Sequence, residues 1–185
     1  DCHDFNSGAG TDATYGGTIN GDAVYVLGWN EPQYGIATDF DFYLLDQFGN
    51  LVYDSNSDPI VSDLDSVAFG KAYEALSFAG TNAGFQLVIG RYSGAATPKL
   101  KIVSFRSPVT ALEYTTSTGG DVVGPTVYGH NGSRAGAAVA AIPYNNSSTI
   151  ETYSSRGPAT WCWGPVVGTT PAASLGACTT ATIDM

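Results

Sequence analysis

A chain of 185 residues with 43% hydrophobic content is long enough to bury a core of its own. Its net charge of −10, with only seven Lys and Arg, argues against a nucleic-acid partner, because phosphate contacts need clustered bases. No apolar run approaches the ~20 residues that span a bilayer as a helix, and 23 Gly and 11 Tyr among many Thr and Ser fit a secreted β-protein better than a cytosolic helical one.

The chain opens at Asp1 with no initiator Met and no signal peptide, so a leader removed or a cut from a longer precursor is expected. From about residue 15 to 105, short strand-like runs alternate with turn residues, and nothing reads as helix. Asp22–Trp29 is apolar on both faces, Val24 and Val26 on one and Tyr25, Leu27 and Trp29 on the other, which suits a central strand. Phe40–Asp46, then Gln47-Phe48-Gly49-Asn50, then Leu51–Tyr53, is a hairpin signal. Tyr73–Phe78, Phe85–Tyr92 and Leu100–Phe105 are three further strands. This spacing, punctuated by Gly, Pro and Asn, implies two packed antiparallel sheets.

Charge divides along the same order. Residues 1–70 contain twelve acids and no Lys or Arg, whereas residues 71–106 carry Lys71, Arg91, Lys99, Lys101 and Arg106 against the single acid Glu74. Two readings stand: neutralisation between neighbouring strands of one chain, or head-to-tail contact between copies steered by complementary potentials.

Of three cysteines, Cys162 and Cys178 flank a segment rich in Gly, Pro, Thr and Ala that reads as a loop with no core of its own. A disulfide between them is expected in an oxidising compartment, stabilising the loop by roughly 3 kcal/mol. Cys2 is left over: free, bound to a partner chain, or separated from a mate upstream. No Cys-x-x-Cys spacing supports zinc.

Two segments carry a family resemblance. Gly129-His130, Ala135-Gly136-Ala137 with Val139 to Ile142, and Ser154-Ser155-Arg156-Gly157-Pro158 resemble a piece of a secreted bacterial subtilisin-like serine protease. The strand Ala37–Asp46, together with Trp29-Asn30-Glu31-Pro32 and Phe85–Tyr92, is similar to bacterial pre-peptidase C-terminal domains and their jelly-roll relatives. The resemblance implies a jelly-roll inserted ahead of a protease segment, and in its order it covers most of residues 1–158. The tail from Ala159 to Met185 departs from it. The catalytic set is missing as well. Neither His3 nor His130 is followed by Gly-Thr, no Gly-Thr-Ser nucleophile occurs, and Gly168-Thr169-Thr170-Pro171 has Thr where Ser should stand and reads as a loop. By resemblance Arg156 is a structural turn arginine.

Other residues invite chemistry. Asp39 and Asp41 share one strand face opposite Phe40 and Phe42; with Asp58, Asp63 or Asp65 they could hold calcium, or they form a solvated acidic face. As a glycosidase pair their spacing carries no specificity. Trp161 and Trp163, beside Cys162, are the candidate glycan platform, and Trp29 reads as core. His130 reads as a packed or turn histidine. Asn131-Gly132-Ser133, Asn145-Asn146-Ser147 and Asn146-Ser147-Ser148 are glycosylation sequons.

The expectation is an all-β, jelly-roll-like antiparallel sandwich over 1–118, with a subtilase-derived extension over 119–185. Ala137–Ile142 would be a core strand without its parent sheet, so Val127, Val139 and Ile142 are expected at an interface. The expected function is a non-catalytic, secreted, self-associating structural module, a homo-oligomer or polymer with no cofactor beyond the calcium option. The alternatives are an accessory glycan- or protein-binding domain, or one chain of a nicked protease.

Overall fold

The computed structural model describes residues 1–6, 8–80, 82–106, 109–114, 141–146, 148–149, 154 and 160–180. The chain divides into two units, Asp1–Val122 with Val166–Ala172, and Val123–Pro165 with Ala173–Met185.

The first unit contains β1 (Tyr15–Ile19), β2 (Ala23–Trp29), β3 (Asp39–Leu45), β4 (Val61–Ser62), a single helical turn α1 (Ser66–Phe69), β5 (Tyr73–Phe78), β6 (Asn82–Ser93), β7 (Leu100–Phe105) and β8 (Val109–Thr110). A five-stranded sheet runs β4-β3-β6-β1-β8 and a three-stranded sheet runs β5-β2-β7. The pairings are antiparallel. Successive strands mostly change sheet; β3 and β4 alone stay together, which gives the sandwich its jelly-roll-like course. The all-β expectation therefore holds.

Alternation explains the layers. Along β2, Ala23, Tyr25, Leu27 and Trp29 are buried and the residues between them half-buried, as a central strand requires. Phe40, Phe42 and Leu44 of β3 and Phe85, Leu87 and Ile89 of β6 complete the interior with Ile19, Ile36, Ile60 and Leu76. Each fully buried side chain of this size contributes about 1.5–3 kcal/mol. Aromatic packing reinforces the layer: the Trp29 ring meets Phe40 edge-on at 5.2 Å, and Tyr25 lies between Phe78 and Phe85.

The first residues join the sheet. The His3 amide donates to the Ile89 carbonyl at 2.9 Å, the Arg91 amide donates to the Asp1 carbonyl at 2.7 Å, and Cys2 stands opposite Gly90. They lie along the second half of β6, whose first half pairs with β1. At the far end of β6, Gly94 has φ +88° and sits so close to residues 37 and 38 that a Cβ would overlap the Ala37 carbonyl.

Three expectations are corrected. The hairpin from β3 to Leu51–Tyr53 closes as expected, the Val52 amide donating to the Leu44 carbonyl at 3.1 Å, but its second arm does not become a regular strand: Leu51 and Tyr53 make isolated bridges, to Leu45 and Pro59. The Gly49 turn ahead of it forms as expected, with φ +83° and its amide donating to the Asp46 carbonyl. A helical turn occurs where none was expected, started by the Asp65 carboxylate accepting from the Ala68 amide and stopped by Gly70 at φ +67°.

The third correction lies in the second unit. There β9 (Thr160–Trp163) pairs with β10 (Ser174–Thr180). The expected disulfide joins Cys162 to Cys178, with Cα atoms 4.1 Å apart. The stretch between the cysteines is thus not all loop, because β10 begins at Ser174.

Candidate functional site

Glu74 stands on β5 where the pattern calls for an apolar residue. Glu74 and Leu76 point inward, between the exposed Tyr73, Ala75 and Ser77. Its side chain is 0% exposed. A bare carboxylate there would be costly, so donors surround it. The Ser62 hydroxyl donates to Oε2, the Ser66 hydroxyl donates to Oε1 at 2.9 Å, and the Leu64 amide donates to Oε2 at 3.4 Å. Ser62 Oγ in turn accepts from the Ala75 amide at 3.1 Å.

These bonds have a place in the architecture. β4 is one edge of the five-stranded sheet and β5 one edge of the three-stranded sheet. Glu74 ties Ser62 of β4 and Ser66 of α1 to β5, closing one open side of the sandwich with polar crosslinks. Asp39 extends the group, accepting from the Ser66 amide at 3.1 Å.

Burial sets the charge state. Desolvation raises the pKa of Glu74 above the ordinary carboxylate value; the Ser62, Ser66 and Leu64 donors oppose it and the negative charge of Asp39 adds to it. Burial also raises Asp39, against the Ser66 amide bond and with help from Asp41 and Asp65. Asp41 accepts from the Tyr43 hydroxyl at 2.7 Å. Desolvation, with that bond, pushes the Tyr43 phenol up to about 12.

Outside this corner several large apolar side chains are exposed among charged ones. Leu64, Val67, Phe69 and Tyr73 are 49%, 44%, 59% and 42% exposed. Leu64, Ser66, Phe69, Lys71 and Tyr73 line a cleft of about 170 Å³. The Lys71 ammonium lies 5.9 Å above the Tyr73 ring, a cation–π distance.

The anticipated residues distribute as follows. Asp39 and Asp41 share one face of β3, and that face is not a solvated acidic surface: both are buried and hydrogen-bonded. Asp58 is exposed and belongs to the 54–58 turn, where its amide donates to Asp54 Oδ1 at 3.0 Å. Asp63 is exposed and Asp65 caps α1. Among the described residues no three His, Cys, Asp or Glu side chains gather to hold a metal. Trp163 is half-buried on β9, and the side chain of Trp161 lies outside the described residues. Ile142 is 46% exposed, while Val127, Val139, His130 and Arg156 lie outside the described residues, as does most of the subtilase-like stretch. Cys2 is a free, exposed thiol.

The residues not anticipated as a site are Glu74, Ser62 and Ser66. A signal was present: Glu74 is the lone acid of residues 71–106 and shares its strand face with Leu76. Comparison with protein-family models, curated proteins and solved structures finds no match to this chain.

Proposed function

We propose that the chain is a non-catalytic structural module of a secreted, subtilase-related protein, and that it works by associating with copies of itself. The observation that carries this reading is the bonding of the buried acids. Glu74, Asp39 and Asp41 each accept hydrogen bonds from their own chain, and the Glu74 crosslinks hold two sheet edges together. A general base must reach a substrate proton; Glu74 is turned inward between the sheet edges, and Asp39 and Asp41 are buried on the opposite face of β3 with their bonds taken up by Ser66 and Tyr43. The lineage rests on the segments around Ser154–Pro158 and Ala37–Asp46. The disulfide is compatible with an extracellular setting.

Light scattering of the purified full chain, alongside a general peptide-substrate assay, tests the reading. A defined oligomer or polymer without turnover is expected. A monomer at every concentration, or turnover abolished by a serine-protease inhibitor, overturns it.

A further inference from the structure

We propose that Asn146 is an acceptor for an N-linked glycan, and that the first sugar of this glycan seats on the ring of Tyr144. The proposal goes beyond the self-association reading and does not depend on it; it needs only passage of the chain through a secretory pathway. Three sequons occur, at Asn131, Asn145 and Asn146. An acceptor must lie on an accessible loop, with Ser or Thr two residues on and no Pro between. Asn131 lies outside the described residues, as does the Ser147 that completes the Asn145 sequon. Asn146 and its Ser148 are both described, and both are exposed.

The local bonds are compatible with the modification. The Asn146 backbone amide donates to the Pro143 carbonyl at 3.1 Å, closing a turn over 143–146. Asn146 Oδ1 accepts from the Ser148 hydroxyl at 2.7 Å and from the Ser148 amide at 3.2 Å. Asn146 Nδ2 donates to Thr149 Oγ1 at 2.9 Å. A primary amide carries two N–H hydrogens, and Thr149 takes one. In the transfer, the bond from the sugar C1 to the diphosphate of a lipid-linked oligosaccharide breaks and a bond from C1 to Nδ2 forms. The lipid diphosphate leaves with the electron pair of the broken bond, and Nδ2 gives up one proton to solvent. The product keeps an N–H for Thr149 and an oxygen for Ser148, so the turn that displays the site is retained.

Tyr144 supplies the seat. It is 101% exposed, the most exposed large apolar side chain among the described residues, so its ring is bare. Residues two apart have Cα atoms no more than about 7 Å from each other even in extended chain, and a turn shortens that distance. A sugar ring on Asn146 Nδ2 is therefore within reach of Tyr144. The C–H face of a sugar against the electron-rich face of an aromatic ring is a favourable contact.

The experiment is to secrete the full chain from a host that carries out N-glycosylation and to locate glycans by mass spectrometry after enzymatic release in heavy-oxygen water, which marks each former site. A glycan on Asn146 is expected, and its loss in Asn146→Gln and in Ser148→Ala. Occupancy of Asn145 or Asn131 with Asn146 bare overturns the proposal, and so does a chain without glycan while a second glycoprotein secreted by the same host is modified. The seat is read separately, from nitration of Tyr144 by tetranitromethane. Tyr144 is expected to nitrate several-fold more slowly in the glycosylated chain than in Asn146→Gln, while exposed Tyr53 nitrates equally in both and serves as the internal reference. Equal rates at Tyr144 would show that the sugar does not cover the ring and would overturn that half of the proposal.

Discussion

Glu74 and Asp54 are both carboxylates fully engaged by their own chain, yet their proton affinities move in opposite directions. Asp54 lies on the surface and accepts from the Asn56 and Asp58 amides, at 2.8 and 3.0 Å, and those bonds lower its pKa. Asp46 does the same in its own turn, with Asn50 and Phe48. Glu74 accepts comparable bonds, but burial outweighs them and the pKa rises. The lesson is that donors alone do not set the charge state: a solvated carboxylate keeps its hydration while gaining hydrogen bonds, whereas a buried one exchanges the first for the second.

The largest effect that would break this comparison is Glu74→Ala. It leaves the Ser62 and Ser66 hydroxyls and the Leu64 amide without their acceptor at the sheet edge, and the expected loss is about 3 kcal/mol, read as a lower urea midpoint. A loss as small as that of a surface aspartate would show that the crosslinks do not hold the edge. Gly94→Ala comes next, because it puts a side chain at positive φ against residues 37 and 38; the expected loss is about 2 kcal/mol by the same measurement.

The pH dependence sharpens the contrast. Glu74 has a folded pKa raised above 4.5, so its stabilising contribution is fully present below 4.5 and is lost as pH rises through the folded value. Asp46 and Asp54 have folded values lowered below 3.8, so theirs is present above 3.8 and is lost as pH falls through the folded values. On going from pH 7 to pH 4.5 the natural chain is expected to gain stability relative to Glu74→Gln. Equal pH profiles for the two would remove the buried-charge argument. The smallest effect is expected from Asp54→Ala, whose midpoint shift at pH 7 falls below that of Glu74→Ala and fades on acidification below pH 3.8.

The same contrast marks what could be read from the amino acids. β2 was legible because Tyr25, Leu27 and Trp29 alternate with Val24 and Val26, and β5 and β7 because their runs stand between turns. β1 was not singled out, since Gly16 and Gly17 erase the alternation in Tyr15–Ile19. β10 was read as loop because Ser174–Thr180 is built of small residues whose pairing with β9 coexists with a disulfide. Asp39 and Asp41 were placed on the right face and given the wrong environment. Alternation assigns a side but does not say what covers it, and Ser66 reaches Asp39 from 27 positions along the chain. Glu74 went unread as a site because its donors at 62 and 66 meet it only when the two sheet edges close.

The strand order has a consequence for how the molecule is made. β2 is complete at Trp29, yet its neighbours β5 and β7 begin at Tyr73 and Leu100. β1, complete at Ile19, waits for β6 and β8. A nascent chain therefore carries β2 unpaired from Trp29 until β5 begins at Tyr73, and β1 from Ile19 until β6 begins at Asn82. At about 5–20 residues per second either interval lasts several seconds. Folding dominated by such distant pairings is slow, on the order of milliseconds to seconds. Open edges during that time are the ones that join wrong partners, so yield on refolding should fall steeply with protein concentration even though Glu74 bridges one side of the finished sandwich.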